Sequence, residues 1–345
     1  MLRFPLTMAF LAALLFGAAT PASKALLEAL PTFQLAGLLY LGAALGVLPL
    51  LVKERQFTWP TNVDRKTGLK LLGAIGFGGV AGPLLLLYGL RLASAASVSL
   101  WLNLELIATV LLGHFVFRDE LSIHGWIATA GTLAAATLLS VSEGHAGVLA
   151  GLLVAAACFC WGLDNHLTAL ITGITPAQTT FWKGLVAGIV NLAIGMQLNL
   201  YGATISTTII ALTVGVFSYG VSIVLYIASA QKLGASRSQI VFSSSPFFGV
   251  ILAALFLREH ISVAQIVASL LIIIALGFLF FEQHLHTHHH EATAHDHWHR
   301  HDDGHHDHVF PGMPQSVYHR HRHEHRATKH AHSHWPDPEH RHKHE

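Results

Sequence analysis

The 345-residue chain is 52% hydrophobic and only 11% charged, with a mean hydropathy of +0.52, where about 25% charged is usual for a soluble domain. This excludes a soluble globular protein and predicts a membrane protein. The formal charge of +1, without a basic, aromatic-interleaved surface, excludes nucleic acid as a partner, and two cysteines inside one apolar run, Cys158 and Cys160, exclude a disulfide framework.

Apolar spans follow one another from the N-terminus. The first, MLRFPLTMAFLAALLFGAATPAS, has the outline of a secretory signal, but its Phe16-Gly17 recurs as Trp161-Gly162, which predicts a retained helix ending near Pro21. Thr32 to Val52 forms the second span. The loop from Lys53 to Lys70 carries Lys53, Arg55, Arg65, Lys66 and Lys70, so the positive-inside rule keeps it cytoplasmic. The third span, Leu71 to Leu90, contains Gly76-Phe77-Gly78-Gly79-Val80-Ala81. That run loosely matches a dinucleotide fingerprint, but no strand precedes it, and close helix packing through small residues explains it better.

The fourth span, Ser97 to Ser122, holds a carboxylate, Glu105, in its middle. Helical spacing places Ser97, Trp101, Glu105 and Thr109 on one stripe, expected to be cavity wall, with Leu100, Ile107 and Leu111 on a face expected to meet lipid. Arg118-Asp119-Glu120 reads as an interfacial cluster before the fifth span, Ile123 to Val141. Five further spans follow: Val148 to Leu170, Pro176 to Leu198, Thr208 to Ala230, Ser236 to Leu257 and Val263 to Phe281. Shifting Ser97 to Ser122 by 140 positions lays it without a gap on Arg237 to Ser262, pairing Arg118 with Arg258 and Glu105 with Ser245.

The expectation is therefore an all-α integral membrane fold of ten transmembrane helices in two five-helix repeats, residues 1–143 and 144–282, followed by a tail, 283–345. Five spans per half invert the second copy relative to the first. With the Lys53 to Lys70 loop inside, both termini are cytoplasmic, and Arg91 and Arg258 are exceptions to the charge rule.

Three ionisable residues lie deep in apolar spans: Glu105, Asp164 and Lys183. Each would cost about 2.5–3.5 kcal/mol facing lipid, so they must face a cavity or one another. One reading makes them a substrate or proton site at the repeat interface, lined by Trp101, Trp161, Asn165 and Ser245; the other makes Lys183 with Asp164 or Glu105 a structural ion pair. Cys160 and Asp164, at i and i+4, share a face that suits a metal, though buried cysteine is more often apolar filler. No span carries a His-Asp pair at that spacing, which counts against a metal as cargo. Hydroxyls at Ser218, Ser222, Ser229 and Ser243 to Ser245 either line a path or bond backbone.

The tail holds 22 of the 27 histidines, seven of the 20 Lys and Arg and nine of the 19 Asp and Glu. It is polar and interrupted by Pro311, Pro314, Pro336 and Pro338, so it is expected to be disordered. Its runs are His286 and His288 to His290; His295, His297, His299 and His301; His305, His306 and His308; His319, His321, His323 and His325; His330, His332 and His334; and His340, His342 and His344. Imidazoles at this density bind Zn²⁺, Ni²⁺, Co²⁺ or Cu²⁺ with little selectivity.

Leu102-Asn103-Leu104-Glu105 with Phe117-Arg118-Asp119-Glu120, and Ser245-Pro246-Phe247 with Leu257-Arg258-Glu259, resemble the drug/metabolite transporter superfamily, in particular its EamA-domain proteins. The resemblance covers Phe4 to Phe281, making the two halves EamA repeats. Trp161 to Asn165 and Lys183 to Gly188 look like a subgroup with His-rich C-termini. It implies a secondary transporter in the cell membrane, not an enzyme, with the bilayer and a small-molecule substrate as partners, no required cofactor, divalent metal on the tail as an option, and compatibility with a homodimer. Glu105-Leu106 departs from the commoner Thr-Pro, so no substrate is carried over. The leading expectation is proton-coupled export of a small polar metabolite. The alternatives are a divalent-metal transporter fed or gated by its tail, and a non-transporting metal sensor or store.

Overall fold

A computed structural model of the chain describes residues 3–54, 57, 59–60, 63–117, 121–198, 203–233 and 235–280, together with 284–290, 293–299, 319–325 and 328–334. Two compact units divide it, Met1–Glu282 and Gln283–Glu345. The first is helical: α1 (Arg3–Gly17), α2 (Ala19–Leu26), α3 (Thr32–Glu54), α4 (Arg65–Ala74), α5 (Gly82–Leu92), α6 (Ala95–Trp101), α7 (Leu104–Leu112), α8 (Ile123–Ser142), α9 (Gly144–Ala169), α10 (Pro176–Gln197), α11 (Ile205–Val214), α12 (Ser222–Leu233), α13 (Ala235–Phe242), α14 (Ser245–Phe256) and α15 (Val263–Phe280). Eight helical stretches among the described residues are long and apolar enough to cross a membrane. Two shorter apolar helices, Ser245–Phe256 and Val263–Phe278, lie within the expected ninth and tenth spans.

The helix contacts reproduce the duplication. α3 packs on α10 and α8 on α15, each a helix against its counterpart, while α1 packs on α12 and α5 on α9. Exchanging the halves turns the α1–α12 contact into the α9–α5 contact, so the set maps onto itself as a pseudo-two-fold relation requires. Breaks fall at matching places as well. π-helical segments, Ile75–Ala81 and Gly215–Val221, join α4 to α5 and α11 to α12, 140 residues apart. The fourth span breaks between α6 and α7, and the ninth between α13 and α14, where Pro246 occupies the first turn.

Helices surrounded by lipid gain little from burying one another's apolar faces, so close van der Waals contact through small residues must hold them together. A Cβ at Gly46 of α3 would lie 2.6 Å from the Val216 carbonyl oxygen and 2.7 Å from Gly220 Cα. Gly17 backs onto Ser245 and Phe248 of α14, and its counterpart Gly162 backs onto Ala108 and Thr109 of α7. The first span belongs to this packing as a retained helix: Ala9, Ala12 and Ala13 are buried, and the Ser222 and Ser229 hydroxyls donate to the Ala12 and Pro5 carbonyls at 3.0 and 2.9 Å. Ser243 and Ser244 bond carbonyls of their own helix instead.

The fourth span corrects the face assignment made from its periodicity. Leu100 and Ile107, expected to meet lipid, are buried at 1% and 2% exposure, and Phe115 and Val116 are the exposed apolar residues. The break at Leu102-Asn103, where the bonds tighten to i→i−3 (Asn103 N–H to Leu100 O, 3.2 Å), interrupts the 3.6-residue stripe.

In the second unit, β1 (His284–His290) pairs antiparallel with β4 (Thr328–His334), and β2 (Thr293–His299) with β3 (His319–His325). His-x-His alternation suits these four extended segments, since it has the two-residue period of a strand. Arg118 to Glu120 and the tail histidines outside these strands lie outside the described residues.

The glycine contacts set a test. Replacing Gly46 with Val should lower the melting temperature in detergent, at an overpacking cost of about 1–3 kcal/mol. Gly68→Ala, which meets open space inside α4, should not lower it and should raise it slightly through helix propensity.

Candidate functional site

The centre of the helical unit is built on an orphaned carbonyl. In the Ile75–Ala81 π segment the Gly82 N–H bonds to the Phe77 carbonyl, and the residue that should serve Gly78, Pro83, has no N–H. The Gly78 carbonyl instead accepts from the Tyr40 hydroxyl of α3 and from Trp161 Nε1 of α9, the latter at 3.0 Å. The Gly79 carbonyl accepts from Asn191 Nδ2 of α10 at 3.2 Å. One helical irregularity thus ties the third span to the second, sixth and seventh.

Against Gly78 sits Asp164, 3% exposed, where a Cβ on the glycine would collide with its carboxylate. Its Oδ2 accepts from Lys183 Nζ at 2.6 Å and its Oδ1 from the Thr168 hydroxyl at 3.0 Å. Both oxygens are therefore engaged, and the lysine side chain is 21% exposed. Of the two readings of the charged trio, the ion pair is the one seen for Asp164 and Lys183.

Glu105 stands apart, half-buried in the first turn of α7 beside the break. A carboxylate is favoured there by the helix dipole. Its Oε1 accepts from Asn165 Nδ2 at 3.1 Å, and the same amide donates to the Thr109 hydroxyl at 3.2 Å. His166 Nε2 lies 2.9 Å from the Thr109 carbonyl, pointing away from Asp164. The α7–α9 contact so carries a protonatable group whose described partner is an exposed amide.

Of the expected residues, Glu105, Asn165, Asp164, Lys183 and Trp161 come together on α7, α9 and α10. Trp101 does not line a cavity: it is 1% exposed and donates from Nε1 to the Ala136 carbonyl of α8 at 3.1 Å. Ser245, 5% exposed, opens α14 against Gly17. Tyr40 was not foreseen, because a lone tyrosine in an apolar run carries no signal. Pro83 was the available clue, marking the carbonyl that needs an outside donor. Among the described residues no group of three or more His, Cys, Asp or Glu is arranged to hold a metal, and the Cys160–Asp164 suggestion gains no further ligand.

An all-α body of duplicated halves, many apolar spans and a polar group enclosed between them defines a multi-pass membrane transporter. The model of the EamA-like transporter family matches residues 3–141 and 148–281, so the chain belongs to that family. It is 29% identical over 233 residues, 64% of its length, to an uncharacterized transporter of Methanothermobacter thermautotrophicus (strain Delta H), and spans 66% of that relative, just under two thirds. The fold is shared with a protein of known crystal structure at a TM-score of 0.56 and 18% identity, covering 81% of this chain and 97% of that one.

The burial of Asp164 sets the next test. Lys183→Met should destabilise the protein by about 3–5 kcal/mol, since it strands a buried charge, while Asp164→Leu with Lys183→Met should recover much of that loss. Thermal melts in detergent check both.

Proposed function

We propose that the protein is a secondary active transporter that exports a small polar metabolite in exchange for protons, alternating access between its two halves. The observation carrying this is the contrast between two neighbouring carboxylates. Asp164 has both oxygens engaged and holds structure; Glu105 has an amide partner and the setting of a group that takes up and releases a proton. Intramembrane carboxylates typically mark such relays. Its counterpart in the repeat is Ser245 at the head of α14, so only one half carries the titratable group. Trp161, Asn165 and Tyr40 border the path in this reading. The Lys53 to Lys70 loop faces the cytoplasm, with both termini on the same side.

Metabolite profiles of cells with and without the protein identify the tracer. In proteoliposomes carrying that tracer, Glu105→Gln should abolish the response of transport to a pH gradient, while its melting temperature stays near that of the native protein. Full pH-driven transport by the variant would remove Glu105 from the mechanism.

The tail adds a metal-binding function in this proposal, supported by the register of its strands. His284, His286 and His288 lie opposite His334, His332 and His330, and His295, His297 and His299 lie opposite His323, His321 and His319. Successive cross-strand pairs bring four imidazole-bearing positions together, the number a tetrahedral Zn²⁺ takes. Equilibrium dialysis against Zn²⁺ should give several ions per full-length chain and a loss of nearly all of them when residues 283–345 are deleted. Undiminished binding after the deletion would reject the tail as the site.

A further inference from the structure

Spans four and nine meet along only part of their length. α6 packs on α14, with the Ser99 side chain where a Cβ on Gly249 would be, whereas α7 turns to α9 and α8. The end of the body beyond the α6–α14 contact is closed by polar groups from four separate places in the chain. Glu259, in the loop after α14, accepts from both free amides that open α6: Ala95 N–H at 2.8 Å and Ala96 N–H at 2.9 Å. Glu143, between α8 and α9, accepts from the hydroxyls of Ser94, at 2.8 Å, and Ser97. Gln265 of α15 donates from Nε2 to the same two hydroxyls at 3.1 and 2.9 Å. Lys24 of α2 donates to the Leu90 and Ala93 carbonyls at 2.6 and 2.9 Å, facing both carboxylates.

We propose that the Glu259 carboxylate, by capping α6 from the far repeat, is the latch that holds this face of the transporter shut, with Glu143 and Gln265 as its supports. The first amides of a helix need acceptors, and water can replace a carboxylate there at modest cost, so the contact is strong enough to hold and weak enough to release. The other repeat supplies the carboxylate, so the bond reports on the relation of the halves and not on α6 alone. A second feature points the same way. Arg258, next to Glu259, has φ 55°, the positive-φ non-glycine residue among the described residues. Such backbone strain persists only where surrounding contacts enforce it, and it is relieved when they part. The latch rests on the alternating-access reading but not on the role given to Glu105.

Spin labels at Leu92→Cys and His260→Cys, both exposed positions, in a Cys160→Ser background report the separation of this face by pulsed electron resonance. Glu259→Gln should raise the ratio of long to short distances roughly fivefold, the scale of a lost cap. Gln265→Ala, which leaves the cap in place, should raise it less. Should Glu259→Gln fail to fold, Gln265→Ala still decides: an unchanged distribution in whichever variant folds overturns the latch. Repeating the measurement with Glu105→Gln separates the two ideas, because the latch predicts the same opening whether or not pH-driven transport survives.

Discussion

Everything at the centre of this protein depends on how a carboxylate is kept in an apolar surrounding. Asp164 would be intolerable there alone, since a stranded buried charge costs several kcal/mol. Lys183 and Thr168 occupy both of its oxygens, and Gly78 leaves room for it by having no side chain. That requirement couples three spans at once: α9 carries the acid, α10 the lysine, and the π segment the glycine. The same segment exposes a carbonyl that recruits Tyr40 and Trp161. The ion pair and the broken helix are thus one construction, in which the unmet backbone demand of one element is answered by side chains of its neighbours.

Against this fixed frame the two halves differ in chemistry. The contacts of α3 with α10, α8 with α15, and α1 with α12 against α9 with α5 are unchanged by exchange, and the helix breaks fall at equivalent positions. Yet Glu105 stands in one half and Ser245-Pro246 in the other. The backbone is duplicated, whereas the carboxylate at this level belongs to one half alone. The bonds of Glu259 and Gln265 to the start of α6 belong to the same logic, being made between repeats and not within one.

How much of this was legible in the sequence varied with the kind of interaction. The spans, the 140-residue repeat and the three intramembrane charges were all readable, because hydropathy, self-similarity and the cost of charge in lipid act locally or by composition. The stripe holds for Glu105 and Thr109, which share the Asn165 amide, but not for Trp101, because it assumes one unbroken helix and the break at Leu102-Asn103 leaves Trp101 on the Ala136 carbonyl. The tail's His-x-His alternation is legible as composition, and its period of two also suits an extended ladder.

By itself, the sequence determined that this is a duplicated, all-helical membrane protein of the transporter class, with Glu105, Asp164 and Lys183 as its costly residues and a histidine-loaded tail. Tertiary structure alone decided which carboxylate is locked in an ion pair and which retains an amide partner. It also decided that Tyr40 serves the Gly78 carbonyl and that Glu259 reaches the amides of α6. The reason is physical: partner choice depends on which spans touch and at what level. Those contacts are set by glycine-mediated packing between helices far apart in the chain, which no local pattern records.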